Sequence, residues 1–445
     1  MSSAIRPILS LNAFDATRGA ALESGIADRI ARRQSHFGAG SVLFYDEPLH
    51  VVRAEGATLF TSDGKAYLDL YNNVPSVGHC HPKVVEAVRR QVGELNVHSR
   101  YLTDVADHYA ERLLASFPAD LSNLLLTCTG SESNDVALRI ARLFTGGMGV
   151  VVTQTAYHGN TASVTEVSPS SYRRGTPPPH VRMVPAPDPA VYGDDVGGGF
   201  AAAVGKAIAA MEADGIRFAA LLVDTIFSSD GVFADPKGFL AAAVETARAA
   251  GGLFIADEVQ PGFGRTGDGM WGFARHGLVP DIVTLGKPMG NGYPIGGVIL
   301  RPELLERFVA EFGYFNTFAA SPVATAAAMA VLETIAEEGL TENARVVGGG
   351  LIERLRALQP QAPISAVRGS GLYIGVALDD DEGPLPELAG RVVNGLRQQG
   401  ILIGTAGRHG NVLKIRPPLC VTVEQTDQFV DALADMFRSS SSVGN

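Results

Sequence analysis

Along this chain, uninterrupted apolar runs end repeatedly in a polar residue, and three such endings fall close together. Leu221-Leu222-Val223 runs into Asp224, Phe254-Ile255-Ala256 into Asp257, and Thr284-Leu285-Gly286 into Lys287. Apolar runs of this length, bounded by turn residues and separated by helical patterns, predict parallel strands buried on both faces. Leu124 to Thr127, Val150 to Val152, Val181 to Val184 and Gly296 to Leu300 read the same way, giving roughly seven mostly parallel strands. Helical patterns lie between them over Val136 to Phe144, Phe200 to Ala213 and Asp235 to Ala249, and a long one runs from Ser321 to Glu337. The expected fold is α/β. Chemistry in open sheets of this kind gathers beyond the carboxyl ends of the strands, so Asp224, Asp257 and Lys287 are expected at one crevice.

The flanking segments pattern differently. Met1 to Leu22 has no clear period and reads as a loosely ordered arm, and Ser24 to Gln34 as a short helix. His50 to Leu70 reads as two strands around the hairpin signal Ser62-Asp63-Gly64-Lys65. From Asn343 onward short helices (Leu351 to Leu358, Pro386 to Gln399) alternate with strands (Val367 to Val376, Ile401 to Gly404, Leu413 to Arg416), as in a small α+β domain. The division expected is 1–70 as arm and part of a small domain, 71–338 as the large domain, 339–437 as the rest of the small domain, and 438–445 as a disordered tail.

Composition narrows the class. The 445 residues are 46% hydrophobic, enough for a sizeable core. A net charge of −11 without a basic block argues against nucleic acid. No stretch has the apolar length of a membrane span. The start lacks a signal-peptide pattern, and three scattered cysteines fit a reducing compartment, so a cytoplasmic location is expected. Gly78-His79-Cys80-His81-Pro82 invites a metal reading, but no further ligand cluster follows at metal spacing, and none is assigned.

An acid and a lysine at adjacent strand ends suit pyridoxal phosphate, which needs an amine for its aldehyde and a carboxylate facing its ring nitrogen. A plain strand-end salt bridge is the alternative. Thr129-Gly130-Ser131-Glu132-Ser133, opening a helix, offers N–H groups and a positive dipole end to an anion, or is simply an N-cap. Tyr157, before His158-Gly159, is a stacking surface or a core tyrosine.

Asp257-Glu258-Val259-Gln260, Gly262-Phe263-Gly264-Arg265-Thr266-Gly267 and Gly286-Lys287-Pro288-Met289-Gly290-Asn291-Gly292 resemble the class III aminotransferases, fold-type-I enzymes that use pyridoxal phosphate. The resemblance runs from about Val51 to Phe437. It implies a large domain with a seven-stranded sheet and a small domain built from both chain ends. It makes Lys287 and Asp257 catalytic. It gives Gly130, Ser131, Tyr157, His158, Asp224 and Gln260 to the cofactor. Thr317, thirty positions past the lysine, would reach across a homodimer interface to the partner's cofactor phosphate.

Many members of that family hold a substrate carboxylate with an arginine in a Leu-Arg-x-x-Pro-Pro pattern, neutralised when idle by a glutamate. Here those positions are Lys414 and Ser229, with Arg416 added two residues on. Lysine lacks the planar fork of arginine, which argues against glutamate-dependent transamination. Lys414 and Arg416 would instead bind a substrate phosphate, or form a solvated strand end. Asn73-Val74, Val77 to Pro82, Ser99-Arg100-Tyr101-Leu102, Tyr314 to Phe318 and Asn411 to Ile415 look closest to the ethanolamine-phosphate phospho-lyases and their phosphohydroxylysine relatives, although Asp224 stands where those carry glutamate. The favoured expectation is elimination of phosphate and ammonia from an amino-alcohol phosphate. The alternative is an ω-aminotransferase moving an amino group to a keto acid such as pyruvate.

Overall fold

A computed structural model describes residues 7–15, 22 and 24–441. After the helix Ser24–Phe37, the chain forms an antiparallel ribbon of β1 (Val51–Glu55), β2 (Thr58–Thr61) and β3 (Ala66–Asp69). This is one strand more than the sequence pattern suggested, because Gly56, at a positive φ of 54°, turns the chain before Ser62 to Lys65 turns it again. Seven strands then build the large sheet: β4 (Asn123–Thr127), β5 (Gly149–Thr153), β6 (Val181–Val184), β7 (Phe218–Asp224), β8 (Leu253–Asp257), β9 (Ile282–Leu285) and β10 (Gly296–Leu300). Their order is β4-β10-β9-β8-β7-β5-β6, and β10 alone runs antiparallel to its neighbours. β4 lies at the edge, and Leu124 to Leu126 are only half-buried rather than enclosed as expected.

The inner strands behave as their composition dictates. β5, β8, β9 and β10 are buried along their whole length, and β7 is buried up to Asp224. Burying each Leu, Ile or Val there contributes about 1.5–3 kcal/mol. β7, β8 and β9 pair in parallel with Asp224 opposite Asp257 and Asp257 opposite Thr284. Three carboxyl ends therefore form one row, and Lys287 follows in the next turn.

The remaining strands are β11 (Ile364–Ser370), β12 (Tyr373–Asp380), β13 (Gly383–Pro384), β14 (Ile401–Leu402), β15 (Gly404–Ala406) and β16 (Val412–Ile415). β14 pairs in parallel with β3, so both ends of the chain share one sheet. β11, β12, β16 and β15 form another.

Four expectations need correction. The helix expected from Asp235 starts only at Ala241, because Gly238 sits at φ 86° in an intervening turn. The helix expected from Leu351 starts at Leu340 and passes through Gly348-Gly349-Gly350. Gly348 is needed there, since a Cβ would lie 2.0 Å from the Gly371 carbonyl oxygen. The turn and single strand expected over Val367 to Val376 are a hairpin, with a strand on each side of the turn, β11 and β12. The final helix, Val423–Ser441, runs past the expected start of a disordered tail at 438, and residues 442–445 lie outside the described residues, as does most of the expected N-terminal arm.

Leu222, fully buried in β7, tests the core. Leu222→Ala is expected to cost about 2–5 kcal/mol in urea denaturation. Val346→Ala, at a half-exposed helix position, is expected to stay within about 0.5 kcal/mol of the parent.

Candidate active site

Lys287 opens a short 3-10 turn after β9 with a φ of 25°, a backbone region rare for side chains other than glycine. Packing holds it there. The Ser133 hydroxyl donates to the Leu285 carbonyl (2.9 Å), and Gly286 lies so close to Gly130 that a Cβ would come within 2.9 Å of the Gly130 backbone. Burial and, after it, the charge of Arg416 push the Lys287 amine down to about 8, against the opposing pull of Asp257 and Asp224.

Asp257 ends β8 with three donors on its carboxylate: His158 Nδ1 at 2.7 Å, Asn134 Nδ2 at 3.0 Å and the Val259 N–H at 3.1 Å. Asn134 cannot turn round, because its other amide proton goes to the His158 carbonyl (2.8 Å) and its oxygen accepts from Thr284 Oγ1 (2.7 Å). His158 therefore presents Nε2, which is buried and has no hydrogen-bond partner among the described residues. Asp224, in the neighbouring strand, accepts from the Ile226 and Ser228 N–H groups (3.0 and 2.9 Å), yet burial still raises its pKa.

Across the crevice, the helix Gly130–Thr145 starts at Thr129, whose hydroxyl caps the Glu132 N–H (3.1 Å). The Gly130 and Ser131 N–H groups belong to the first turn, which has no acceptor of its own. They, Thr129, Tyr157, His158, Gly159, Asp224, Asp257, Gln260 and Lys287 line one cavity of about 360 Å³. Gly159, at φ 141°, is obligatory: a Cβ would lie 2.5 Å from Ser131 Oγ. An anion cup at a helix start, a flat aromatic side chain, an acid and an amine thus face a single space.

Lys414 and Arg416 lie two apart on β16 and its end, so they point the same way, and both are buried. Neither is among the residues lining the 360 Å³ cavity. Arg416 stands behind Gln260, donating from Nη1 to Gln260 Oε1 and Asn73 Oδ1, each at 3.1 Å. The Lys414 ammonium has no hydrogen bond or ion pair among the described residues. Burial drives its pKa well below the ordinary lysine value, helped by Arg416 and Lys287 and opposed by Asp224. Thr317 is exposed and lines no part of the cavity within one chain, although its neighbour Asn316 lies 3.6 Å from the sulfur of Cys128, a cavity residue.

His79 and His81 have separate partners, Asp69 (2.7 Å) and Glu338 (2.9 Å). No group of His, Cys, Asp or Glu among the described residues is arranged to hold a metal ion. Sequence reasoning missed Asn134, Asn73 and Tyr373. Asn134 had one signal: it is a polar residue on the helix face that also carries Ala137, Leu138 and Ala141.

The family model described as aminotransferase class-III matches residues 44–437. A Drosophila melanogaster protein named alanine–glyoxylate aminotransferase 2-like is 38% identical, over 91% of this chain and 85% of its own. A Caenorhabditis elegans protein named ethanolamine-phosphate phospho-lyase homolog 1 is 35% identical, over 91% and 92% respectively. Among solved structures, a phospholyase from Arthrobacter in complex with phosphoethanolamine superposes with a TM-score of 0.89 at 41% identity, covering 93% of this chain and all of that one.

The lowered Lys287 pKa sets a pH dependence. Only the neutral amine attacks an aldehyde, so the rate at which the apo-protein captures pyridoxal phosphate is expected to rise about tenfold per pH unit below 7 and to level off above about 8. A rate still climbing steeply at pH 9.5, followed by stopped-flow absorbance, would show an ordinary lysine. Lys287→Ala is expected to lower turnover by at least about 10²-fold.

Proposed function

The chain belongs to the class-III aminotransferase family, whose cofactor is pyridoxal phosphate, and from that premise we propose that it is a lyase that eliminates phosphate and ammonia from an amino-alcohol phosphate such as O-phosphoethanolamine. The cavity fits the cofactor: the Gly130–Ser131 cup for its phosphate, Asp257 for its ring nitrogen, Tyr157 for its face and Lys287 for its aldehyde. When bound, it supplies an aldehyde that condenses with amines and a ring that takes up the electron pair freed at the adjacent carbon.

The chain's own residues do the rest. Asp257, oriented by His158 and Asn134, keeps a proton on the ring nitrogen. Lys287, once displaced by the substrate amine, is a base of suitable strength near neutral pH and takes the proton from the carbon bearing nitrogen. If the next carbon carries phosphate, its C–O bond breaks and the electron pair leaves on the phosphate oxygen. Lys287 would then retake the cofactor aldehyde and free the unsaturated amine, which takes up water and yields an aldehyde and ammonia.

The observation that carries the lyase reading is Lys414. Its buried amine has no hydrogen bond or ion pair among the described residues, its hold on a proton is weakened chiefly by burial, and it lies within electrostatic reach of Lys287 and Asp224. A buried charge without a counter-ion is costly, which is why the amine holds its proton weakly, and a substrate phosphate would supply the counter-ion and restore the charge. The likeness to the Arthrobacter phospholyase and the C. elegans relative supports it. The D. melanogaster relative's name supports the second reading, an aminotransferase acting with a keto acid.

The active form is proposed to be a homodimer. Leu102 (95% exposed), Phe318 (75%), Tyr101 and Phe315 expose apolar surface beside the half-buried edge strand β4. Phe315 and Phe318 flank Thr317 along the chain, and Thr317 would reach the partner's cofactor phosphate.

Three results test these proposals. With O-phosphoethanolamine and no keto acid, phosphate and acetaldehyde should appear in equal amounts over many turnovers; a single turnover that leaves the cofactor aminated would make the protein an aminotransferase. Lys414→Met should lower kcat/KM for O-phosphoethanolamine about 10- to 100-fold, the loss of one charge-assisted hydrogen bond. Light scattering should give twice the chain mass, and Leu102→Asp with Phe318→Asp should yield monomers that retain cofactor poorly. Full activity in those monomers would remove Thr317 from the site.

A further inference from the structure

Arg416, offered to a substrate phosphate on its sequence position, is the centre of a buried polar network. Its Nη1 donates to Asn73 Oδ1 and Gln260 Oε1, both at 3.1 Å. Asn73 Nδ2 donates to the same Gln260 oxygen at 2.6 Å, and the Tyr373 hydroxyl reaches it at 3.4 Å. The guanidinium lies over the Tyr71 ring, 4.6 Å from its centroid. Asn73, Tyr373 and Arg416 are buried, and Gln260 lies between them and the cavity.

A guanidinium has donors only. Both amides must therefore turn their oxygens toward it, because a flipped amide would set N–H against N–H. The Asn73–Gln260 bond closes the triangle in the same sense. With Oε1 taken by these donors, the end of Gln260 left for the cavity is Nε2, which has no hydrogen bond among the described residues. The buried network thus has one orientation, and Arg416 sets it.

We propose that Arg416 is a positioning residue: it fixes Gln260 as a hydrogen-bond donor toward an acceptor oxygen of the bound cofactor, and it does not hold the substrate's anionic group. That task is left to Lys414, whose amine has no such engagement among the described residues. The proposal rests on the cofactor alone and stands whether or not the substrate carries phosphate, so its failure and the failure of the lyase reading are separate results.

The experiment is a double-mutant cycle read without turnover. Wild type, Arg416→Met, Gln260→Met and the double variant are stripped, reconstituted with pyridoxal phosphate, and compared in cofactor Kd and visible absorption maximum. Each single change should weaken cofactor binding about 3- to 10-fold, the range of one lost hydrogen bond, and shift the band alike. The double variant should be no worse than either single one, because both remove the same contact. Arg416→Lys, also a pure donor, should restore most of the affinity. Additive losses in the double variant would overturn the proposal. So would unaltered cofactor binding in Arg416→Met together with a raised KM for substrate, which would make Arg416 a substrate ligand. Should Arg416→Met fail to fold, Gln260→Glu decides. It keeps Arg416 paired while replacing the donating Nε2 by an oxygen, so it should lose as much cofactor affinity as Gln260→Met. Wild-type affinity in that variant would refute the donor role.

Discussion

Asp224, Asp257 and Thr284 are register partners across three parallel strands, and the site depends on that alignment. Side chains alternate along a strand, so a slip of one residue in β8 would carry Asp257 to the other face of the sheet and leave His158 and Asn134 without their carboxylate. The three strands that carry this row are apolar and buried on both faces up to their carboxyl ends. Beyond the row of carboxyl ends, the Gly286–Gly130 approach couples the lysine turn to the helix start, so the amine and the anion cup are positioned by one backbone contact.

On this frame the protein gathers cations against its own average charge. Lys287, Lys414 and Arg416 are buried near Asp224 and Asp257 in a chain of net charge −11. Burial and then Arg416 weaken the hold of Lys287 on its proton, and burial, Arg416 and Lys287 weaken that of Lys414, which makes Lys287 a usable base near neutral pH. Arg416 donates to two amide oxygens and lies over an aromatic face, whereas Lys414 has no hydrogen bond or ion pair among the described residues. The division of labour follows from that difference. One cation orders the wall of the cavity, and the other is left to meet an incoming anion.

Much of this was legible in sequence because apolar runs and turn residues report burial directly. Asp224, Asp257 and Lys287 were expected at one crevice, and strand register brings them there. The reversal of β10 was not legible, since an apolar run carries no direction. The Leu340–Ala357 helix was hidden by three consecutive glycines, the first of which, Gly348, makes a close backbone contact with Gly371. Asn73, Gln260, Tyr373 and Arg416 come from segments separated by up to 343 positions, and no spacing rule connects them. Arg416 could therefore be assigned only by its chemistry, as a cation, and its engagement with two amides emerged from the packing.

The most direct measurement is a crystal structure of the Lys287→Ala variant with pyridoxal phosphate and O-phosphoethanolamine, in which substrate binds but the proton-accepting amine is gone. The account predicts the substrate phosphate within salt-bridge distance, about 4 Å, of Lys414 Nζ, with Arg416 still bonded to Gln260 and Asn73. A phosphate held elsewhere, with Lys414 still unpaired, would contradict it.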